Sequence, residues 1–221
     1  MKHLETVINS GIFSKIEKSE YIYTFEELQL IGRKYEKGSV IYREGEVIRN
    51  ICIIKSGCVR SEKMYVEGES HILKLWQAGS IFGIEHAVQS GSRSTVDYVC
   101  HEDCEIVFVS WDSICGCTKS EKIIEGLLPL MAYENIDRIN KVNILAHRNL
   151  KDKIMCFLEL WDRVDNELHE QKVINMNREE MSQYLSVNRS ALSSELNKMK
   201  KEGLIGFNKN RFYVLENKMV S

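Results

Sequence analysis

Apolar and polar positions change rhythm along this chain, and the changes divide it. Residues 1–20 are a short polar lead-in with some helical character. From about Ile22 to Trp111, apolar residues come in short or alternating runs separated by Gly38, Gly45, Gly57, Gly68, Gly79, Gly83 and Gly91. Val40-Ile41-Tyr42, Ile51-Cys52-Ile53-Ile54, Ile72-Leu73-Lys74-Leu75-Trp76 and Glu105-Ile106-Val107-Phe108-Val109 read as strands. Strands punctuated by glycine every ~8–12 residues predict an all-β sandwich or barrel. Glycine suits the turns because positive φ strains other residues.

Past Trp111 the period becomes helical. Between Thr118 and Ala146, Ile124, Leu128, Met131, Ile136, Ile139, Val142 and Leu145 recur at helical spacing. The single proline, Pro129, would cost about 3 kcal/mol in a helix interior. The expectation is therefore a short helix ending near Gly126 and a longer one with Pro129 in its first turn. Its apolar positions do not share one narrow stripe. They fit either a wide core-facing stripe, or one face on the β-domain and another on a second subunit. Asn149 is an N-cap for a further amphipathic helix with Leu150, Ile154, Phe157, Leu158 and Trp161 on one side. The polar stretch from Asp162 to Lys172 reads as a loop.

The segment 176–215 is the most informative. Asn177 is an N-cap with Glu180 three residues on, as in a capping box, and Met176 and Met181 stand at the staple positions. That helix ends near Leu185. Asn188 starts another, with Val187 and Leu192 at the staple positions, an inward stripe of Leu192, Leu196 and Met199, and Gly203 as its stop. Two capped helices joined by a short turn form a helix-turn-helix pattern. The outward positions of the second helix are Arg189, Ser190, Ser193, Ser194 and Asn197, all small or hydrogen-bonding. Such a face suits the major groove, where arginine addresses guanine O6 and N7 with two bonds. Residues 204–215 read as a hairpin whose tip carries Lys209 and Arg211, a wing set to meet phosphates. Arg178, at the start of the first helix, joins the candidate DNA contacts. The same pattern also suits a small helical subdomain with no DNA role.

Composition narrows the class. The chain has 221 residues, 43% hydrophobic and 28% charged, enough for one large domain or two modest ones with real cores. Its net charge of −2 argues against general attraction to nucleic acid. Yet residues 178–211 hold seven basic and four acidic side chains, so that segment is +3 and the remainder −5. No apolar run approaches the ~20 residues of a membrane span. The first residues lack the apolar core of a signal peptide, so a cytoplasmic location is expected. Seven cysteines, an odd number, do not suggest a disulfide framework. Nothing resembles a nucleophile–base pair or a phosphate-cradling loop with lysine, so no catalytic residue is assigned.

In these features the chain resembles the cyclic-AMP receptor protein and fumarate–nitrate regulator (CRP/FNR) family. In the sensor half, Lys37-Gly38-Ser39-Val40-Ile41 through Gly45, Ile54-Lys55-Ser56-Gly57-Cys58-Val59, Gly68 and Gly79-Ser80-Ile81-Phe82-Gly83 resemble the family's β-roll. In the DNA-binding half, Arg178-Glu179-Glu180-Met181, Val187 through Ser193 and Lys200-Lys201-Glu202-Gly203-Leu204-Ile205 resemble its helix-turn-helix. The resemblance implies an α+β chain in three parts. A cyclic-nucleotide-binding-like β-roll (double-stranded jelly roll) with flanking helices would occupy 1–117, a long dimerisation helix 118–147, and a winged helix-turn-helix 148–221. It implies a homodimer on double-stranded DNA, with recognition helices about 34 Å apart. RNA polymerase is a further partner in that picture. Arg189 lies where the family places its main base-reading arginine. Ser186 stands where glycine is usual in the turn, at a cost of roughly 1 kcal/mol. Ser194 replaces a frequent second arginine.

The effector is less legible. Family members that bind a cyclic nucleotide use a Gly-Glu pair and a downstream Arg-Ser/Thr. Here Gly83 and Glu85 are separated by Ile84, and Arg93-Ser94 follow after a shortened segment. Three outcomes stay open: a cyclic nucleotide, another small anion held by Arg93 and its hydroxyl neighbour, or a trigger unrelated to this site. Cyclic AMP fits poorly. Fumarate–nitrate-type members carry an iron–sulfur cluster on N-terminal cysteines, whereas the first cysteine here is Cys52. Cys100, His101 and Cys104, or Cys115 and Cys117, have metal-like spacing, but Cys52 and Cys104 read as buried strand residues. Haem on His71, His86 or His101 has no support beyond the lone histidines, and no metal ligand is assigned. The rival overall reading is a cyclic-nucleotide or small-anion module whose C-terminal domain contacts protein instead of DNA.

Overall fold

The computed structural model describes residues 2–65, 70–89, 92–162, 172–174, 176–208 and 211–215. It forms two compact units, Met1–Asn135 and Ile136–Ser221. The class is the α+β one expected, with a β-sandwich first, then a long helix, then a helix-turn-helix.

In the first unit, eight strands build two antiparallel four-stranded sheets. One runs β1 (Ile31–Tyr35), β8 (Cys104–Ser110), β3 (Asn50–Ser56), β6 (Ile81–Phe82). The other runs β2 (Val40–Tyr42), β7 (Asp97–Cys100), β4 (Cys58–Met64), β5 (Ser70–Gln77). The centre of the fold is the β3–β8 pair, registered Ile53 opposite Val107. Both its faces are covered. Ile51, Ile53, Val107 and Val109 join a core with Phe13, Phe25, Leu28 and Ile114, while Cys52, Ile54, Ile106 and Phe108 join Val59, Trp76 and Tyr98 of the other sheet. Successive residues of a strand point to opposite faces, so one strand serves two cores. Gly38, Gly45, Gly57, Gly79 and Gly83 take positive φ, as their turn positions require. Gly68 and Gly91 lie outside the described residues.

The β pattern expected from Ile22 starts later. Lys2–Asn9 form α1, and Tyr21–Leu28 form α2, where Tyr21 and Phe25 stack one turn apart at 5.7 Å. Strand β1 escaped the sequence pattern because it is an edge strand with Ile31 to Lys34 exposed, and so shows no alternation. Ile84–Ala87 form α3 and Trp111–Gly116 form α4.

A single helix, α5 (Ser120–Ala146), replaces the two helices expected around Gly126. Pro129 lies inside it and forfeits one hydrogen bond to the Glu125 carbonyl. Glu125 and Pro129 are both exposed, so water can serve that carbonyl, and the buried side chains of Ile123 and Leu127 hold the helix to the core on either side of Glu125. Gly126 is a contact, not a stop. A methyl group there would lie 2.4 Å from the Ile12 carbonyl oxygen, so only glycine lets α5 approach the backbone at Ile12.

The second unit contains α6 (Leu150–Asp162), α7 (Arg178–Leu185) and α8 (Arg189–Lys201). Its sheet runs β10 (Ile205–Asn208), β11 (Arg211–Val214), β9 (Lys172–Val173). The Asn149 side chain caps α6 through the Lys151 N–H at 2.9 Å, and Ile154, Phe157 and Leu158 are buried as the periodicity predicts. The Trp161 side chain lies outside the described residues. Of the expected loop 162–172, Asp162 ends α6 and Lys172 begins a short strand, Lys172 and Val173 pairing with Phe212 and Arg211, and residues 163–171 lie outside the described residues.

Gly126→Ala should destabilise the chain by about 1–3 kcal/mol through overpacking, measured by urea denaturation. Gly116→Ala, with nothing within 4 Å of the added methyl, should be neutral or slightly stabilising. Equal effects of the two would refute the close approach at Gly126.

Candidate nucleic-acid interface

The helix-turn-helix is built from its ends inward. At the start of α7, the Asn177 side chain accepts from the N–H groups of Glu179 (2.8 Å) and Glu180 (3.0 Å), and the Glu180 carboxylate accepts from the Asn177 N–H (2.8 Å). This is the capping box expected from the residue pattern. At the start of α8, Asn188 accepts from Ser190 (2.8 Å) and Ala191 (3.2 Å). At its end, Gly203 takes φ +73°. Leu192, Leu196 and Met199 are buried, as are Met176 and Met181.

The turn between the helices closes on Ser186, which adopts φ 52°, ψ 54°. This is the left-handed conformation that glycine would take without strain. Ser186 donates to the Gln183 carbonyl at 3.2 Å and Val187 to the Ser182 carbonyl at 3.0 Å, a Schellman motif. The last two carbonyls of α7 are taken by lysines from other helices. Lys141 of α5 donates to the Tyr184 carbonyl, and Lys153 of α6 to the Leu185 carbonyl at 3.4 Å. The Lys141 amine also lies 2.9 Å from the centre of the Tyr184 ring. Burial pushes the pKa of that amine down to about 6, against the pull of Asp137 one turn earlier and with Lys153 adding repulsion. The same burial raises the Tyr184 phenol. Sequence reasoning missed both lysines, since lysine is seldom buried and neither stands in a motif.

Between these caps α8 presents Arg189, Ser190, Ser194 and Asn197 to solvent, with Ser193 half-buried beside them. All five predicted readers therefore share one open face of one helix. Arg189 heads it, 64% exposed, with one guanidinium nitrogen 3.4 Å from the Glu179 carboxylate. A cation in the first turn of a helix opposes the helix dipole, and Glu179 offsets that. So exposed a pair is worth only about 0–1 kcal/mol, leaving Arg189 able to exchange partners.

Arg178 has a second role. Its guanidinium sits 4.6 Å from the Phe207 ring centre and 4.8 Å from that of Phe212. It ties the first turn of α7 to the hairpin β10–β11, and burial lowers its pKa. Lys200 adds a bond to the Phe207 carbonyl at 3.1 Å. The hairpin pairs Asn208 with Arg211 across its end. Lys209 and the side chain of Arg211, the expected wing tip, lie outside the described residues.

In the sheet unit, the structure brings together the two segments that carry the candidate effector residues. Gly83, at φ +81°, starts α3, which carries Glu85. The His86 ring and the Ser92 hydroxyl meet at 3.0 Å, which joins α3 to the segment carrying Arg93 and Ser94. Both of those residues already make bonds to the protein. Arg93 donates to the Gly45 carbonyl at 2.7 Å, and buried Ser94 donates to the Val96 carbonyl at 2.6 Å. The Gly45 bond uses one of the five N–H donors of exposed Arg93, whereas the Ser94 hydroxyl also accepts from the Val96 N–H at 3.3 Å.

The thiols are mostly buried. Burial pushes the Cys100 pKa up to about 12, and Cys104 donates to the carbonyls of Cys58 and Glu102, both at 3.2 Å. Among the described residues, no three or more His, Cys, Asp or Glu stand together as metal ligands. No helix there is long and apolar enough to cross a membrane.

A β-sandwich followed by a capped helix-turn-helix defines a class of DNA-binding regulator, and comparison with known proteins gives its family. Residues 32–119 match the cyclic nucleotide-binding domain and residues 154–218 the Crp-like helix-turn-helix domain. Electron transport regulator A of Shewanella oneidensis is 26% identical over 80% of this chain and 72% of its own. The fumarate and nitrate reduction regulatory protein of Escherichia coli is 22% identical over 85% of this chain and 76% of its own. Among solved structures, FixK2 of Bradyrhizobium japonicum superposes with a TM-score of 0.70 at 22% identity, over 85% of this chain and 93% of that one. The regulator CLP of Xanthomonas campestris, described as c-di-GMP responsive, gives 0.69 at 17% identity, over 90% and 100%. The chain belongs to the CRP/FNR family of transcription regulators, a family of DNA-binding proteins and not of enzymes.

The buried amine makes a pH prediction. In the unfolded chain Lys141 holds its proton up to 10.5, and in the folded chain only to about 6. Between those values the unfolded state binds the extra proton, so stability rises with pH. Urea denaturation of the natural chain and of Lys141→Met over the range from about pH 6 to about pH 9.5 should show the natural chain gaining on the variant as pH rises. A constant difference would contradict the burial of the amine.

Proposed function

We propose that this regulator binds a near-palindromic duplex site as a homodimer, with α8 of each copy in successive major grooves. The carrying observation is the face of α8, where Arg189, Ser190, Ser193, Ser194 and Asn197 offer only polar groups from a helix capped at both ends. Arg189 reads a guanine by two bonds, releasing Glu179 or keeping it on one edge of the guanidinium. Ser190, Ser193, Ser194 and Asn197 hold neighbouring bases and phosphates. Arg178, Lys209 and Arg211 serve the phosphate backbone around the wing.

A second copy of the chain is the occupant for the outer face of α5. There Leu128, Ile136, Ile139 and Val142 are each more than half exposed, with Met131 beside them. Their spacing along one helix is that of a helix–helix seam, and an apolar stripe of this kind needs a partner. Ile123 and Leu127 meanwhile face the core, which supports the reading of a helix with two working faces.

The sensor is proposed to take a small anion through Gly83, Glu85, Arg93 and Ser94. The bond that joins α3 to the Arg93 segment supports this. The displacement of Glu85 from Gly83 speaks against cyclic AMP. The description of CLP as c-di-GMP responsive puts that dinucleotide among the compounds to screen.

Arg189→Ala should cost ~1–3 kcal/mol at one base pair of each half-site and little elsewhere. Lys209→Ala should weaken all sequences alike and flatten the salt dependence of binding. Gel-shift titrations on selected and random duplexes separate the two, and equal losses on both duplexes for Arg189→Ala would refute base reading. For the effector, a melting screen across cyclic nucleotides and organic acids should find one compound that stabilises the natural chain. A ligand at about 100 times its dissociation constant adds ~2.7 kcal/mol. Arg93→Ala should abolish that stabilisation, and a shift that survives the substitution would move the effector elsewhere.

A further inference from the structure

We propose that Lys141 is a positioning residue for DNA binding, clamping the helix-turn-helix to the long helix and so fixing the separation of the two recognition helices in the dimer. This rests on the reading of two half-sites above. The same turns of α5 carry both features. Ile136, Ile139 and Val142 are exposed, while Lys141 between them turns the other way and is bonded to the Tyr184 carbonyl over the Tyr184 ring. Tyr184 also packs on Phe157 of α6, ring centres 5.4 Å apart. Only Ser186, Val187 and Asn188 separate the end of α7 from Arg189. Any shift of α7 against the long helix is therefore passed directly to the base-reading arginine.

The chemistry of the contact favours this over simple packing. A buried amine is costly, and an apolar side chain of the same volume commonly does as well for stability. What the Lys141 amine supplies, and an apolar side chain cannot, is a directed bond from the long helix to the last turn of α7, which fixes an angle as well as a distance. The division of the chain into units agrees. The second unit begins at Ile136, so the stretch of α5 bearing the clamp belongs with the DNA-binding elements.

The test uses the full chain and duplexes selected from a random pool by that chain. Affinity is measured for the selected site and for versions with the centre lengthened or shortened by one or two base pairs. The natural chain should lose at least about tenfold when the spacing no longer lets both copies engage. Lys141→Met keeps the stem and removes the amine. It should remain folded and dimeric by melting and light scattering, and prefer the same bases within each half-site. It should bind the selected spacing about tenfold more weakly and vary less than about threefold across the spacing series. Tyr184→Leu, which removes the ring beneath the amine, should relax the spacing in the same direction and serves if the methionine variant does not fold. A folded variant with the natural spacing profile would overturn the assignment. A natural chain indifferent to spacing would instead overturn the two-half-site reading, and the clamp's role with it.

Discussion

Helix α7 ends with the side chains of Tyr184 and Leu185 buried and its carbonyls needing partners, and much of the DNA-binding unit follows from that. The last four carbonyls of a helix have no partner within it, and a buried carbonyl without one is expensive. Here the four are Ser182, Gln183, Tyr184 and Leu185. The backbone of Val187 and Ser186 serves the first two, at the cost of a serine in a left-handed conformation. Lys141 and Lys153 serve the others. The turn that aims α8 is thus held by two helices outside the motif. Its geometry depends on the long helix as much as on its own sequence.

The sheet unit obeys a different constraint. Strands β3 and β8 are buried on both faces, so the alternation that usually marks a strand becomes a continuous apolar run. On the other sheet's side, Arg93 donates to the Gly45 carbonyl and Ser94 is bonded within its own turn.

How much of this was legible in the sequence depended on whether the signal was local. The caps at Asn177 and Asn188, the buried stripe of α8 and the stop at Gly203 are local, and the structure has them where the residues placed them. The strands with apolar runs were legible, but edge strand β1 and the two-residue β9 were not, because pairing partners far along the chain create them. Pro129 misled because its cost is local while the burial of Ile123 and Leu127 that outweighs it is not. Gly126 looked like a stop, and only the approach of the Ile12 backbone explains it. The outward face of α8 was legible residue by residue. Lys141 and Glu179 were not, since their roles come from neighbours on other helices.

The central claim is that α8 reads base edges from the major groove in two places. Methylation interference tests it most directly. Methylation at guanine N7 marks the major groove and at adenine N3 the minor groove. With the full chain on its selected duplex, N7 methylation should block binding in two patches about one helical turn apart, on one face of the DNA. Interference confined to adenine N3, or none at all, would contradict the account.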